Sequence, residues 1–314
     1  LRKWTLSGNS MNYSKKGLAH LGMLTFSALV AGSFPIGARI ARDIDPIALT
    51  FARFCLATLL IGLFLFLKKD LKTNYFVKFW RYLLIGGLFA IYFICMFEAL
   101  KTASPISTST IFTLMPFMSI CLDRLFFGVK SGKPMVLLLI TGALGTLIIV
   151  FKGSLAQLIS LNISYGEMTF FSGTIAHATF AILIPKVRRQ EPAIFMSFAS
   201  MLAASMVIIL IFPKRILETD WLTLPNEVYL SIIYLAVFAT IITFTLLTFA
   251  SSYLHSGNMT AYTFITPFWV TLTEFGFFGT TLEYYFFQGG TLLFISLFLL
   301  LRLPPKALAV KVQR

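Results

Sequence analysis

The chain has 314 residues, of which 58% are hydrophobic and only 12% are charged, and its mean hydropathy is +0.86. A soluble domain carries roughly a quarter charged residues, so this composition excludes an ordinary soluble fold and indicates that a lipid bilayer is the solvent. The net charge of +14 comes from basic clusters between apolar stretches, so it indicates membrane topology and not nucleic-acid binding.

Apolar stretches bounded by charge, proline or glycine predict ten membrane-spanning helices, each close to the roughly 20 residues that cross a bilayer. Residues 1–16 are predicted to be a cytoplasmic N-terminal segment, and residues 304–314 a cytoplasmic tail. The fold class is therefore an all-α membrane protein. The predicted helices lie at about 17–40, 46–67, 79–100, 104–128, 134–152, 164–185, 192–212, 227–250, 257–278 and 284–303.

The distribution of basic residues predicts the orientation of the chain. With the N-terminus in the cytoplasm, 19 of the 26 Lys and Arg residues fall in inside segments, 6 fall outside, and Arg53 lies within a helix. Cytoplasmic loops carry the excess of Lys and Arg in membrane proteins. We therefore expect a multi-pass protein of the cell (inner) membrane with both termini cytoplasmic.

An internal repeat divides the predicted helices into two groups of five. Residues 115–128 match residues 266–279 without a gap, sharing Pro-Phe, an acid seven residues after the proline, and Phe-Phe-Gly. Asp45-Pro46 of the first copy likewise corresponds to Glu191-Pro192 of the second. The repeats are predicted at 17–152 and 164–303. Since five is odd, the second copy enters the membrane from the opposite side, and this inverted repeat is typical of transporters that work by alternating access.

The sequence also resembles a known family. The segments 45–54, 85–87, 97–104 and 115–128 are similar to the EamA repeat of the drug/metabolite transporter superfamily, and the resemblance covers nearly the whole chain. It implies ten helices, inside termini, a central cavity lined by both halves, and export or exchange of amino acids, related metabolites or drugs. The family often has a Gly-Glu pair where this chain has Gly128-Val129 and Gly279-Thr280.

The repeat places a substrate cavity among the first, third, fourth, sixth, eighth and ninth helices. Polar and aromatic side chains on these helices are the groups that a mostly apolar site uses to orient a ligand. His177 is a candidate for proton coupling or, alternatively, a hydrogen-bonded packing residue. The cavity candidates are Ser33, Tyr92, Ser107, Thr110, His177, Asn258, Tyr262 and Trp269.

Six further residues are candidates for coupling or gating. The prolines are predicted to kink their helices, either as static bends or as hinges. A charged side chain within a membrane span is costly and so indicates function. Each acid could instead form an ion pair or anchor its helix at the membrane interface. Arg53 resembles a family arginine with a structural or gate-stabilising role. Glu98 either faces the cavity or pairs with Lys101. These candidates are Arg53, Glu98, Asp123, Glu274, Pro116 and Pro267.

The preferred function is a secondary transporter that exports or exchanges amino acids or related small metabolites. Nucleotide-sugar carriers, drug carriers or passive channels of the same fold are alternatives. An intramembrane enzyme is disfavoured because the sequence has neither H-E-x-x-H nor G-x-S-x-G and its three histidines are far apart. We therefore expect no catalytic residues, metal or cofactor. The expected partners are a small-molecule substrate, the lipid bilayer and, as an open alternative, protons.

Overall fold

A computed structural model describes residues 3–159, 163–279, 281 and 283–303, so the predicted tail at 304–314 lies outside the described residues. The first half begins with a long helix whose apolar part, Lys15–Ile40, is a candidate membrane span. This helix starts before the predicted residue 17. The helices of this half are α1 (Lys3–Ile40), α2 (Pro46–Leu67), α3 (Trp80–Ala99), α4 (Pro105–Phe112), α5 (Met115–Phe127) and α6 (Lys133–Val150).

The second half follows a short connecting helix and is more interrupted than the first. A π-helical segment, Val237–Ile242, divides its third helix, and a 3₁₀ segment, Ala261–Ile265, divides its fourth. The helices from the connection onward are α7 (Leu155–Ile159), α8 (Tyr165–Val187), α9 (Ala193–Ile211), α10 (Pro213–Leu217), α11 (Asn226–Ala236), α12 (Thr243–Ala250), α13 (Ser256–Thr260), α14 (Thr266–Phe278) and α15 (Tyr284–Arg302).

Pro116 and Pro267 lie in the first turn of α5 and α14, where the structure begins a new helical segment. A proline lacks the N–H group for the helical ladder and its ring collides with the preceding turn, whereas the first turn tolerates it. The helix is therefore interrupted just before each proline. Both of these helices end at a glycine in the left-handed conformation, Gly128 and Gly279, each with a φ of 65°.

Nine helical stretches in the described part of the chain are long and apolar enough to cross a membrane. The predicted helix at 257–278 is not among them, and the 3₁₀ segment Ala261–Ile265 lies within it. The structure thus supports an all-helical membrane protein, while the predicted count of ten helices is one more than the number of candidate spans among the described residues. Many large apolar side chains are exposed, among them Leu59, Leu210 and Phe294, as expected for a surface that faces lipid.

The two halves contact each other reciprocally. Helix α3 packs along α8, and its repeat counterpart, α11 with α12, packs along α1. In the same way α2 contacts α11 while α9 contacts α3, and α6 lies against its own counterpart, α15. When each helix of one half contacts the same helix of the other half as its counterpart does, the two halves are related by an approximate two-fold rotation. The interior between the halves is therefore built by α1, α3, α8 and the π-helical region.

Candidate functional site

Small residues bring α3 and α8 close together at the centre of the molecule. A Cβ on Gly173 would lie 2.7 Å from Cβ of Cys95, and one on Gly166 would lie 2.6 Å from the carbonyl oxygen of Ala99. This approach places the ring centroids of Tyr92 and His177 4.3 Å apart. Two predicted cavity residues from opposite halves are thus brought into direct contact.

His177 is enclosed by aromatic rings from both halves. The centroids of Phe180, Phe112 and Phe89 lie 5.2, 5.4 and 5.8 Å from the imidazole centroid. His177 is only 1% exposed, and Nδ1 has no hydrogen-bond partner among the described residues. The hydroxyl of Tyr92 is likewise buried and without a partner there. The rings supply apolar contact area, and His177 Nδ1 and the Tyr92 hydroxyl are available to form hydrogen bonds with a ligand.

Arg53 is completely buried in α2 and is held by the π-helical region. Its Nη2 donates to the carbonyl oxygens of Leu235 and Ala239 at 3.0 and 3.1 Å, and its Nε donates to Oγ1 of Thr240 at 3.0 Å. A π-helix leaves carbonyl groups out of the regular ladder and often marks a functional site. Arg53 of the first half therefore binds the irregular backbone of the second half.

The predicted cavity residues of α4 and α1 lie in different surroundings. Ser33 is buried and its Oγ has no partner in the described chain, whereas the hydroxyl of Thr110 donates to the carbonyl oxygen of Ile106 at 2.6 Å. Ser107 donates to Glu167, which also forms a capping box with Ser164 at the start of α8. The sequence reasoning missed Glu167, although the Ser-x-x-Glu spacing of the capping box is readable.

Two of the remaining cavity candidates contact α1 from the second half. The hydroxyl of Tyr262 lies 2.9 Å from Nδ1 of His20, and Nε1 of Trp269 donates to Oγ of Ser27 at 3.2 Å. Asn258 is buried, and its Oδ1 has no partner among the described residues. The predicted residues therefore do not form one cluster: Tyr92 and His177 meet between α3 and α8, Tyr262 and Trp269 contact α1, and Asn258 lies on α13, which packs against α5.

The three acidic gating candidates lie in different environments. Glu98 forms an ion pair of 2.7 Å with Lys101, and both side chains are about one-third exposed, as in the surface-pair alternative. Asp123 is buried and accepts a hydrogen bond of 2.5 Å from Ser256 of the second half. Glu274 lies half-buried on α14. Asp123 is therefore a contact between the halves at the predicted cytoplasmic side.

Two ion pairs join the halves at opposite ends of the molecule. Arg81 and Glu191 are 2.7 Å apart and are 3% and 2% exposed, whereas Arg215 and Asp45 are 3.2 Å apart and are 64% and 22% exposed. The two acids are the residues that precede proline in both repeats. The sequence showed that correspondence, but it did not reveal either arginine partner.

Two surface depressions lie away from the aromatic centre. An apolar groove of about 380 Å³ between α14 and α15 includes Pro267 and Thr271, and an open polar pocket of about 420 Å³ includes Asp43, Asp45 and Arg215. Within the described residues, no group of three or more His, Cys, Asp or Glu side chains is arranged to hold a metal ion.

These features define an integral membrane protein whose two repeated halves bury polar side chains between them. The chain belongs to the EamA-like transporter family, whose profile matches residues 17–151 and again residues 164–302. This second match coincides with the second half of the fold. The family assignment makes the protein a membrane transporter of the drug/metabolite transporter superfamily.

Two bacterial relatives agree with this assignment, and one solved structure shares the fold. The chain is 22% identical over 228 residues to the uncharacterized transporter YyaM of Bacillus subtilis (strain 168), covering 71% of this chain and 74% of YyaM. It is 27% identical over 158 residues to the uncharacterized transporter YrdR of the same organism, covering 47% and 49%. A protein crystal structure matches with a TM-score of 0.65 and 16% identity over 91% of this chain and 95% of that one, which supports the fold alone.

Proposed function

We propose that this protein is a secondary transporter that exports or exchanges amino acids or related small metabolites by alternating access. The observation that carries the proposal is the set of buried polar atoms on Ser33, Tyr92 and His177, which have no partner among the described residues and lie between two halves that contact each other reciprocally. Inverted repeats hold a substrate site at their interface and expose it to either side as one half moves against the other.

The proposal includes a tenth membrane crossing at residues 256–278. These residues match the length of Pro105–Phe127, which is interrupted before its own proline and still qualifies as a span. A crossing with a break is tolerated in a membrane where the freed backbone groups are buried in protein. Ten crossings place both termini on one side, and the excess of basic residues assigns that side to the cytoplasm of a cell membrane.

The choice of amino acids or similar metabolites is supported by the composition of the centre. Rings of Phe89, Phe112 and Phe180 offer apolar contact to a side chain, while Tyr92 and His177 offer polar atoms to a head group. Small-molecule sites commonly combine a mostly apolar lining with a few placed polar groups. Nucleotide sugars and larger drugs of the same fold family are the competing cargoes.

Counterflow in proteoliposomes tests the proposal. Vesicles preloaded with an unlabelled mixture of amino acids should accumulate a labelled amino acid transiently and saturably, without added nucleotide, whereas protein-free vesicles should not. Nucleotide sugars and a cationic dye serve as alternative cargoes in parallel vesicles. Counterflow of only those cargoes would reject the amino-acid assignment, and absence of all counterflow in folded protein would reject the transport proposal.

Cross-linking tests alternating access. In a background without Cys55, Cys95 and Cys121, one cysteine pair replaces Phe127 of the first half and Lys186 of the second, whose ammonium lies 4.5 Å from the centroid of the Phe127 ring. Another pair replaces the contacting residues Ser107 and Glu167, which also belong to different halves. A short reducible cross-linker at either pair should stop counterflow, and reduction should restore it. Continued counterflow with both pairs tethered would exclude relative movement of the halves at these ends.

A further inference from the structure

Arg53 carries a buried charge without an acidic partner in the described part of the chain. The ion pairs found there involve Glu191, Glu98, Glu218 and Asp45, none of which contacts Arg53. An ion that is removed from water is costly unless it is paired or fully hydrogen-bonded. The hydrogen bonds and ring contacts of this guanidinium therefore show whether its charge serves only to stabilise the fold.

One edge of the Arg53 guanidinium binds the π-helical region and stabilises the fold. Its Nε and Nη2 reach the π-helical region through Leu235, Ala239 and Thr240. Its face covers the ring of Phe93, with 3.7 Å between the guanidinium carbon and the ring centroid. The third nitrogen, Nη1, is buried and has no hydrogen-bond partner among the described residues. Holding the π-helix thus leaves one end of the cation unused.

The guanidinium of Arg53 belongs to the same aromatic cluster as the predicted substrate site. Phe93, which covers Arg53, lies 4.7 Å from the ring of Tyr92, and Tyr92 contacts His177. Tyr234 directly precedes Leu235, whose carbonyl oxygen accepts a hydrogen bond from Arg53. Tyr234 already donates to the carbonyl oxygen of Leu29 at 3.0 Å, whereas the hydroxyl of Tyr92 has no partner in the described chain.

We propose that Nη1 of Arg53, assisted by the hydroxyl of Tyr92, binds the anionic group of the transported molecule, a carboxylate or a phosphate. This inference rests on the proposed transport function and narrows it to cargo that carries an acidic group. An arginine N–H with an oxyanion makes a charge-assisted hydrogen bond, which is stronger than a neutral one. Lipid headgroups are excluded as the source because Arg53 is fully buried about two helical turns into α2.

Equilibrium binding separates this inference from transport. Detergent-solubilised protein is heated with an amino acid and, separately, with the corresponding amino-acid amide, with a nucleotide sugar and with inorganic phosphate. We expect stabilisation by at least one acid and not by its amide, because only the acid presents an anionic group. A nucleotide sugar acting in place of the amino acids would identify a phosphate as the bound group and uphold the anion site.

The variants Tyr92→Phe and Tyr234→Phe form a matched pair, because each removes only a hydroxyl. Tyr92→Phe should weaken binding of the acid by roughly tenfold, as expected for a hydrogen bond to a charged group, without lowering the melting temperature of the free protein. Tyr234→Phe should leave the affinity unchanged. Arg53→Lys keeps the charge but not the fork of donors, and should weaken binding at least as much as Tyr92→Phe.

The result that overturns the inference is equal binding of an acid and its amide, or stabilisation by neither class of ligand. Unchanged affinity in both Tyr92→Phe and a folded Arg53→Lys variant would overturn it as well. Counterflow of a cationic or neutral cargo alone would leave the transport proposal standing and refute the anion site. Binding of an acid without any counterflow would uphold the anion site and refute the transport proposal.

Discussion

Replacing Arg81 with methionine should destabilise the protein by about 3–5 kcal/mol. The change leaves the Glu191 carboxylate 2% exposed and without its cation, and it also removes the donor that reaches the carbonyl oxygen of Val187 at 2.7 Å. A buried charge that loses its partner keeps its full desolvation cost and none of the attraction. The double variant Arg81→Met/Glu191→Met removes both charges and should lie within about 1–2 kcal/mol of the native protein.

Reversible unfolding in mixed micelles, followed by tryptophan fluorescence, measures these differences, and Trp80 lies next to the substituted residue. The exposed pair at the other end is the matched control. Arg215 is 64% exposed, so Arg215→Met should cost no more than about 1 kcal/mol. A cost below 1 kcal/mol for Arg81→Met, or a double variant as unstable as the sum of its single changes, would refute the reasoning.

The neighbouring glycines of α3 give opposite predictions, which the same unfolding assay would test. Gly86→Ala should destabilise the protein by about 1–3 kcal/mol, because its Cβ would lie 2.1 Å from the carbonyl oxygen of Ser200. Gly87→Ala should be neutral or slightly stabilising, because its Cβ would meet nothing within 4 Å. Burial lowers the pKa of His255, with Asp123 opposing the shift and Lys186 adding to it. Its Nδ1 accepts from the backbone N–H of Gly257 only when the imidazole is neutral, so this contribution is present at pH 7 and lost as the pH falls through the lowered pKa. His255→Asn retains an acceptor and should flatten that pH dependence of stability, and an unchanged profile would count against the cap.

Local signals in the sequence predicted most helix boundaries. The structure has α2 at Pro46–Leu67, the residues predicted, because Asp45 caps its N-terminus and Pro46 occupies its first turn. The helix predicted at 227–250 was found, but its π-helical segment was not foreseen. Residues 237–242 are an ordinary apolar run in the sequence, and their irregular backbone is stabilised by Arg53, which lies far away in the chain. The interruption is therefore a tertiary effect.

The candidate site was predictable to a similar extent. The repeat indicated which helices meet at the centre, and Tyr92 and His177 do lie in contact there. The pairing of Arg81 with Glu191 spans 110 residues, and no local pattern connects them. In the same way, the sequence placed Arg53 deep in a helix but could not show that its partners are backbone carbonyl groups. Side chains that join different helices are fixed by packing, which periodicity does not encode.

The unequal ion pairs at the two ends show how far the two halves depart from symmetry. Asp45 and Glu191 occupy corresponding positions of the repeat, yet Glu191 is buried against Arg81 while Asp45 meets Arg215 at the surface. Their partners come from non-equivalent positions, because Arg81 lies at the start of α3 whereas Arg215 lies in α10, before the counterpart of α3 begins. One closed end and one open end is the arrangement that alternating access requires of a single conformational state. The unequal pairs give the two ends of the molecule contacts of different strength, and the comparison of Arg81→Met with Arg215→Met measures that difference.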